Sequence, residues 1–133
     1  MIKESVRSNA IVVRKAGVFF KSFVYAWKGI QHFFLYDRNG RIHLGAAIAT
    51  IMAGFIFKVS GVECLVLLLC IAIVIACEMI NAAIEKLCDV VHKEFHLAIK
   101  IIKDISAGAV LFVSIISAAA GLIIFIPKII SLL

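Results

Sequence analysis

Proline and charged side chains are both scarce in this chain of 133 residues. It contains a single proline, and Asp, Glu, Lys and Arg together make up 17% of it, against about 25% in an average soluble domain. Hydrophobic residues account for 64%, more than a soluble protein of this size can remove from water. The composition therefore excludes an ordinary soluble domain, and the near absence of proline favours long uninterrupted helices. We expect an all-α membrane protein.

Neither the cysteines nor the net charge points to metal or nucleic-acid binding. The four cysteines (Cys64, Cys70, Cys77 and Cys88) form no CxxC pair, and no histidine lies among them at zinc-ligand spacing. We interpret them as small core residues. A net charge of +6 would suggest nucleic acid in a soluble protein, but here the basic residues flank apolar runs. We therefore expect the lipid bilayer as a partner and no nucleic acid.

Residues 1–40 are predicted to form an amphipathic arm. Four cations recur every seven residues and share one helix face: Arg7, Arg14, Lys21 and Lys28. Apolar and aromatic residues step by three and four along another face: Phe20, Phe23, Trp27, Ile30 and Phe34. A basic stripe opposite an apolar stripe is typical of a helix that lies in the membrane interface. An arm that packs on other helices would show the same pattern and remains an alternative.

Three apolar segments are long enough to cross a membrane. They are residues 41–59, 62–81 and 105–127. Ser60 and Gly61 predict a turn between the first two segments. The segment 85–104 holds four of the eight acidic residues and is predicted to be a charged loop before the third. We therefore predict a single membrane domain over residues 1–133, with an N-terminal interfacial helix and three transmembrane helices.

The distribution of cations predicts the orientation in the membrane. Most of the 14 Lys and Arg residues lie in the arm or in 85–104. The turn between the first two spans carries only Lys58, and the segment after the third span carries only Lys128. Because cytoplasmic segments are enriched in Lys and Arg, we expect the arm and the charged loop in the cytoplasm and the C-terminus outside. Three helices have little interior for ionisable groups, so we also expect an oligomer that buries them between subunits.

Polar side chains line one helix face at the end of the second span. They are Glu78, Asn81, Glu85 and Asp89, spaced by three, four and four. Glu78 follows 14 uncharged residues, and a carboxylate at membrane depth indicates a functional site. Such a carboxylate suits a general base, while Glu85 and Asp89 are hard oxygen donors suited to Mg²⁺. Further groups able to hold polyphosphate and metal are Glu94, His96, Lys103 and Asp104, and Asp37 adds an acid on the same side.

Other interpretations remain open for parts of this face. Glu85 and Asp89 could belong to an ordinary solvated helix end. His92 and His96 have the spacing of a zinc pair but lack the acid order of HExxH, so a surface role is favoured. A small proton-coupled exporter would also need one membrane carboxylate, which would be Glu78. Exporters of that kind usually have four spans with the acid in the first, unlike the pattern here.

Several motifs in order resemble one known family. The run from Glu78 to Asp89, EMINAAIEKLCD, resembles the signature of the small integral-membrane prokaryotic diacylglycerol kinases, which include undecaprenol kinases. That signature is Glu, two residues, Asn, a small pair, an aliphatic residue, Glu, three residues and Asp. The resemblance runs without a gap from about residue 21 to 110, through YAWKG at 25–29, Asp37, Arg41, EFH at 94–96, KD at 103–104 and AGAV at 107–110.

The resemblance implies an ATP- and Mg²⁺-dependent kinase that phosphorylates the hydroxyl of diacylglycerol or undecaprenol for lipid recycling. It implies a homotrimer with shared active sites, in the inner membrane of a bacterium, with those sites on the cytoplasmic side. Glu78 would be the general base, and Asp37 (Glu in many members) and Glu85 would bind the metal. The nucleotide site would be lined by Tyr25, Asn81, Glu85, Asp89, Glu94, Phe95, His96, Lys103 and Asp104, and Phe23 and Trp27 would contact the lipid. No Walker loop or kinase Gly-rich loop is present, so acids with Mg²⁺ and lysine would hold the phosphates.

Four positions depart from the family pattern. Ala82 stands where Ser or Thr is usual, and Cys88 stands where Val is usual; both changes are tolerable by size. Val18 and Ala107 replace an arginine and a serine of some diacylglycerol kinases, which removes two polar contacts for a lipid headgroup. The departures favour the undecaprenol-kinase branch, so we predict that a polyprenol is accepted at least as well as diacylglycerol.

Overall fold

The computed structural model describes residues 20–92 and 94–132 of the chain. This part is helical except for short connections, which confirms the prediction of an all-α protein. Helix α1 covers residues 20–36, and three longer helices follow: α2 (Arg38–Ile56), α3 (Gly61–Val91) and α4 (Leu97–Ile130). The chain divides into two compact units, one with α1 and one, from Asp37 onward, with α2, α3 and α4.

Helix α1 carries the described part of the predicted arm. Its aromatic side chains Phe20, Phe23 and Trp27 are 60–76% exposed, which is the pattern of a helix with an unburied apolar face. Lys21 and Lys28 of the basic stripe are exposed as well, whereas the rest of that stripe lies outside the described residues. The position of the arm in the membrane interface therefore stays a prediction.

Side chains at the connections begin the three longer helices. Asp37 Oδ1 accepts hydrogen bonds from the backbone N–H groups of Asn39 (3.0 Å) and Gly40 (3.1 Å), which caps α2. Ser60 and Glu63 form a reciprocal capping box at the start of α3. The turn predicted at Ser60 and Gly61 lies instead at Phe57 and Lys58, and Gly61 is the first residue of α3. His96 Nδ1 accepts from the N–H of Ala98 at 3.2 Å and caps α4. These caps satisfy backbone donors that a helix end leaves free.

Two of the described helices, α3 with 31 residues and α4 with 34, are long and apolar enough to cross a membrane. Only 11% of the residues in the most apolar stretch of each are buried within the chain. The core helix of a soluble protein would be mostly buried, so these surfaces suit lipid or another subunit. Helix α2 has 19 residues and begins with polar and charged side chains, and it is not among the helices that are apolar enough to cross a membrane. A third crossing by α2 therefore stays a prediction.

Helix α3 lies at the centre of the second unit, because both α2 and α4 pack against it. The buried hydrophobic side chains of this unit are small or aliphatic: Ala47, Leu67, Ala82, Cys88, Val110 and Ile124. At the end away from the polar face, Lys128 Nζ lies 3.0 Å from Glu63 Oε2, and the rings of Phe57 and Phe125 meet at 5.8 Å between centroids. These contacts join the end of α4 to the start of α3 and to the end of α2.

The charged segment 85–104, predicted to be a loop, is helical over most of its length. Helix α3 continues to Val91 and α4 begins at Leu97, so the described connection between them is limited to residues within 92–96. No Gly or Pro interrupts residues 82–91, and Glu, Lys and Leu are good helix formers. At 1.5 Å per residue, α3 is about 46 Å long and therefore extends well beyond a hydrocarbon core of about 30 Å.

Candidate active site

Glu78 is the most deeply buried polar side chain in the described part of the chain. Only 2% of its surface is exposed, and it projects from α3 after a run of uncharged residues. Its Oε1 atom is buried and has no hydrogen-bond partner among the described residues. A buried carboxylate oxygen without a partner is costly, and natural proteins keep such groups where a ligand or a reaction uses them.

Asn81 lies one turn further along the same face and is held from both sides. Its Nδ2 donates to Glu85 Oε1 at 3.3 Å, and its Oδ1 accepts from the Ser106 hydroxyl of α4 at 2.6 Å. Asn81 is 4% exposed, Glu85 is half-buried and Asp89 is exposed. The polar face therefore passes from the buried interior at Glu78 to the solvent at the end of α3, as its spacing predicts.

Lys103 and Asp89 connect the outer part of this face to α4. Lys103 Nζ lies 2.7 Å from Asp89 Oδ1. This hydrogen bond raises the pKa of Lys103 above its ordinary value of 10.5; desolvation opposes the shift, and the negative charges of Asp89 and Glu85 add to it. Asp104, also predicted at the nucleotide site, instead forms an ion pair with Lys100 one turn earlier on α4. The two helices thus present carboxylates and ammonium groups side by side.

The connection between α3 and α4 carries the predicted nucleotide-site residues Glu94, Phe95 and His96. All three side chains are exposed. The rings of His92 and His96 meet almost perpendicularly, with 5.4 Å between their centroids. Because His96 also caps α4, its ring is held at the start of that helix, beside the end of α3. Phe95 is 81% exposed, a position in which a ring can stack on a planar ligand.

The two predicted metal ligands, Asp37 and Glu85, have separate structural partners. One oxygen of Asp37 caps α2, and one oxygen of Glu85 accepts from Asn81. Within residues 20–92 and 94–132, His, Cys, Asp and Glu side chains form no group of three placed to hold a metal ion. The donor type nevertheless fits Mg²⁺, which commonly takes one or two protein carboxylates and completes its shell with phosphate oxygens and water. Each carboxylate has a second oxygen for that purpose.

Tyr25, Phe23 and Trp27 belong to the separate unit that contains α1. Tyr25, predicted at the nucleotide site, is 67% exposed, and the two predicted lipid contacts, Phe23 and Trp27, are exposed as well. Phe23 and Trp27, four residues apart, share one face of α1, whereas Tyr25 projects from the other side of the helix. The roles of these three residues stay predictions.

A pocket of about 410 Å³ lies between α3 and α4 next to Asn81. Its polar lining comes from Asn81 and Ser106, and the remainder is apolar, with Ile80, Ile84, Ile102 and Ile105 among the side chains. A pocket of this kind can hold an apolar chain that ends in one polar group.

Ser106 is the residue of this site that the sequence did not reveal. It lies on α4, 25 residues from Asn81, and no spacing rule connects positions so far apart on two helices. Its hydroxyl was the available signal, but α4 carries other serines, such as Ser114 and Ser117, from which the sequence does not distinguish it.

The arrangement combines a buried carboxylate, an ordered amide, and a group of carboxylates and ammonium groups at the exposed end. A buried carboxylate can accept a proton, whereas the exposed charges can hold a polyphosphate with its cation. Phosphoryl transfer to an alcohol requires both proton removal and phosphate binding, and this face carries groups suited to each.

Comparison with known proteins points to the same chemistry. The family model described as prokaryotic diacylglycerol kinase matches residues 24–125. The undecaprenol kinase of Bacillus subtilis is 39% identical over 110 residues, which cover 83% of this chain and 89% of that protein. The diacylglycerol kinase of a Synechocystis species is 35% identical over 132 residues, which cover 98% of this chain and 74% of that protein. The chain therefore belongs to the prokaryotic diacylglycerol kinase family, a family of membrane kinases that act on lipid alcohols.

Proposed function

We propose that this chain transfers the terminal phosphoryl group of ATP to the hydroxyl of a membrane lipid alcohol, diacylglycerol or undecaprenol, for lipid recycling. Glu78 accepts the proton of that hydroxyl while the lipid oxygen bonds to the terminal phosphorus. The bond between this phosphorus and the bridging oxygen of ADP breaks, so the products are a lipid phosphate, ADP and one proton held at first by Glu78.

The buried state of Glu78 is the observation that supports this proposal best. Its Oε1 is buried without a partner among the described residues, and a lipid hydroxyl arriving from the bilayer would supply the missing hydrogen bond. Asn81, one turn away and held by Ser106 and Glu85, can fix groups beside that oxygen. A proton-coupled exporter would also use a buried carboxylate, but the family match does not favour that alternative.

The nucleotide would bind at the exposed end of the polar face. Lys103 offers a charged donor to phosphate oxygens, and its pairing with Asp89 holds it near the end of α3. Glu85, with Asp37, would hold Mg²⁺ against the phosphates, where the ion neutralises part of their charge when it is bound. Further nucleotide contacts would come from Tyr25, Asn81, Asp89, Glu94, Phe95, His96 and Asp104.

The lipid would reach Glu78 sideways through the membrane. The mostly apolar pocket beside Asn81 supports this route, because it can take an apolar chain near a polar end group. Phe23 and Trp27 would contact the lipid at the interface. Burial discriminates poorly between acyl and prenyl chains, so specificity has to come from the headgroup. Since Val18 and Ala107 remove two candidate polar contacts, a polyprenol should be accepted at least as well as diacylglycerol.

The active form would be a homotrimer with shared active sites, in the inner membrane of a bacterium. The largely unburied surfaces of α3 and α4 support an assembly in lipid, because they leave ample area for neighbouring subunits and lipid chains. The concentration of lysines near the ends of α3 and α4 that carry the polar face supports a cytoplasmic site, where ATP is available.

The direct test is lipid-dependent ADP release by the purified chain in detergent micelles with ATP and Mg²⁺. Diacylglycerol and undecaprenol are added in turn, and triacylglycerol, which has no hydroxyl, serves as the control lipid. We expect ADP release and lipid phosphate with at least one alcohol and neither product with the control. ADP release that does not depend on a lipid hydroxyl would contradict the proposal.

A further inference from the structure

Ser106 is the side chain through which α4 contacts the polar face of α3 at Asn81. Its Oγ lies 2.6 Å from Asn81 Oδ1 and 2.9 Å from the backbone carbonyl oxygen of Lys103. Asn81 is almost fully buried and Ser106 is half-buried, so the amide side of this contact has little access to water. A hydrogen bond in such a place is strong, and its loss leaves a buried amide oxygen unsatisfied.

The chemistry of the three groups fixes the direction of their hydrogen bonds. An ionised Glu85 only accepts hydrogen bonds, so the side of the Asn81 amide that faces Glu85 has to be Nδ2. The opposite side is then Oδ1, which only accepts, and Ser106 has to donate its proton to it. The result is a directed chain from Ser106 through Asn81 to Glu85. A flipped amide would place two acceptors against each other at Glu85.

A plain alternative is that Ser106 only bonds to its own helix, as serines in helices often do. Its distance of 2.9 Å to the Lys103 carbonyl fits that role. The contact with Asn81 is shorter, however, and crosses to a different helix that carries the general base and metal ligand of the proposed reaction. The two possible roles of Ser106 predict different effects on metal binding. A serine bonded only to its own helix backbone has no effect on Glu85, whereas a serine that holds Asn81 does.

We infer that Ser106 is a positioning residue that acts through Asn81 on the carboxylate of Glu85, and so sets the affinity of the site for the metal–nucleotide complex. This inference rests on the proposed function, since it assigns Glu85 to that complex. Ser106 itself touches neither the phosphates nor the metal. Without its hydroxyl, the Asn81 amide is free to turn and Glu85 loses its fixed donor.

The kinetic test compares Ser106→Ala, Ser106→Thr and the matched control Ser114→Ala, which removes a hydroxyl about two turns further along α4. We expect Ser106→Ala to raise the Mg²⁺ concentration for half-maximal activity by about three- to tenfold, the effect of one lost hydrogen bond, with kcat changed less than about twofold. Ser106→Thr keeps the donor and should restore the wild-type value. Ser114→Ala should leave it unchanged.

A binding measurement supplies a second readout that does not require turnover. Mn²⁺ replaces Mg²⁺, and its binding to the full chain with a non-hydrolysable ATP analogue is followed by electron paramagnetic resonance. Ser106→Ala should weaken this binding by the same factor, and Ser106→Thr should restore it, while thermal unfolding reports whether each variant is folded. Equal Mn²⁺ affinity in Ser106→Ala and wild type would overturn the inference. A loss of Mn²⁺ affinity that also occurs in Ser114→Ala, or that persists in Ser106→Thr, would overturn it as well. An inactive wild type would refute the proposed function, and the Mn²⁺ titration would still decide the role of Ser106.

Discussion

The ammonium group of Lys103 lies 2.7 Å from a carboxylate oxygen of Asp89, although 14 residues separate them and they belong to different helices. With the hydrogen bond from Ser106 to Asn81, this ion pair ties α4 to α3 along the polar face. The pair places a lysine beside the carboxylates of α3. Phosphate oxygens that bind Lys103 would have to share it with Asp89 or displace that carboxylate.

Replacing Lys103 should therefore weaken nucleotide binding more than it slows the chemical step. We predict that Lys103→Gln raises the KM for ATP by about 10-fold or more, because a hydrogen bond from a charged donor is worth about 1.5–3 kcal/mol. The measurement is ADP release at varied ATP with saturating lipid. Lys86→Gln removes an exposed lysine from the same end of α3 and should leave the KM unchanged. An equal KM in both variants would exclude Lys103 from the phosphate site.

Glu78→Gln tests the general base. Glutamine keeps the size and the hydrogen bonding of glutamate but cannot accept the proton, so we predict a folded protein whose turnover falls by at least about 100-fold. Glu63→Gln is the matched control on the same helix, since glutamine can also serve in the capping box there. Near-normal turnover in Glu78→Gln would show that Glu78 is not the general base.

Glu85→Ala tests the proposed metal ligand. Metal affinity falls when a carboxylate is lost, so we predict that the Mg²⁺ concentration for half-maximal activity rises by roughly 10-fold or more. Part of the lost activity should return at high Mg²⁺, in contrast to Glu78→Gln, which metal should not rescue. Lys86→Ala, at the neighbouring exposed position, controls for changes to the helix end. An unchanged Mg²⁺ requirement in Glu85→Ala would argue against metal binding by this carboxylate.

Cysteine labelling tests the orientation in the membrane. In a chain whose four native cysteines are replaced by alanine, we predict that Lys93→Cys reacts with an impermeant maleimide from the cytoplasmic side, and Ser131→Cys from the outside. Labelling in intact cells and in inverted vesicles separates the two sides. Inverted labelling would place the polar face where ATP is absent, and the kinase proposal would then have to be abandoned.

Parallel assays with two lipids test the substrate preference. At equal surface concentration, undecaprenol should be phosphorylated at least as fast as diacylglycerol, because the two polar residues replaced by Val18 and Ala107 are not available to bind the ester carbonyls. A preference for diacylglycerol of more than about 10-fold, which one good hydrogen bond can provide, would contradict this prediction.

Regular spacing made the polar face of α3 predictable from the sequence. Glu78, Asn81 and Glu85 follow a helical period, so their common face and the contact between Asn81 and Glu85 need no knowledge of other helices. The apolar runs likewise located α3 and α4, because length and hydropathy are properties of one segment. The sequence also predicted a break before α3, but placed the turn at Ser60 and Gly61 instead of at Phe57 and Lys58.

Contacts between helices were not predictable in the same way. The partners of Ser106 and Lys103 depend on how α4 is aligned with α3, which is a property of two packed helices and not of either sequence segment alone. The predicted loop over 85–104 was bounded by the ends of the uncharged runs on either side. Charge ends a membrane-embedded segment but does not end a helix, since a helix is equally able to continue in water.

The cap that His96 places on α4 determines which tautomer its neutral ring adopts. Because Nδ1 accepts the N–H of Ala98, it cannot carry a proton, and the proton has to be on Nε2. The exposed edge of the ring is therefore a hydrogen-bond donor. A molecule bound beside the connection between α3 and α4 meets this edge as a donor and has to present an acceptor to it, such as a ring nitrogen or a carbonyl oxygen. Helix initiation and the hydrogen-bonding preference of the site are in this way set by one imidazole.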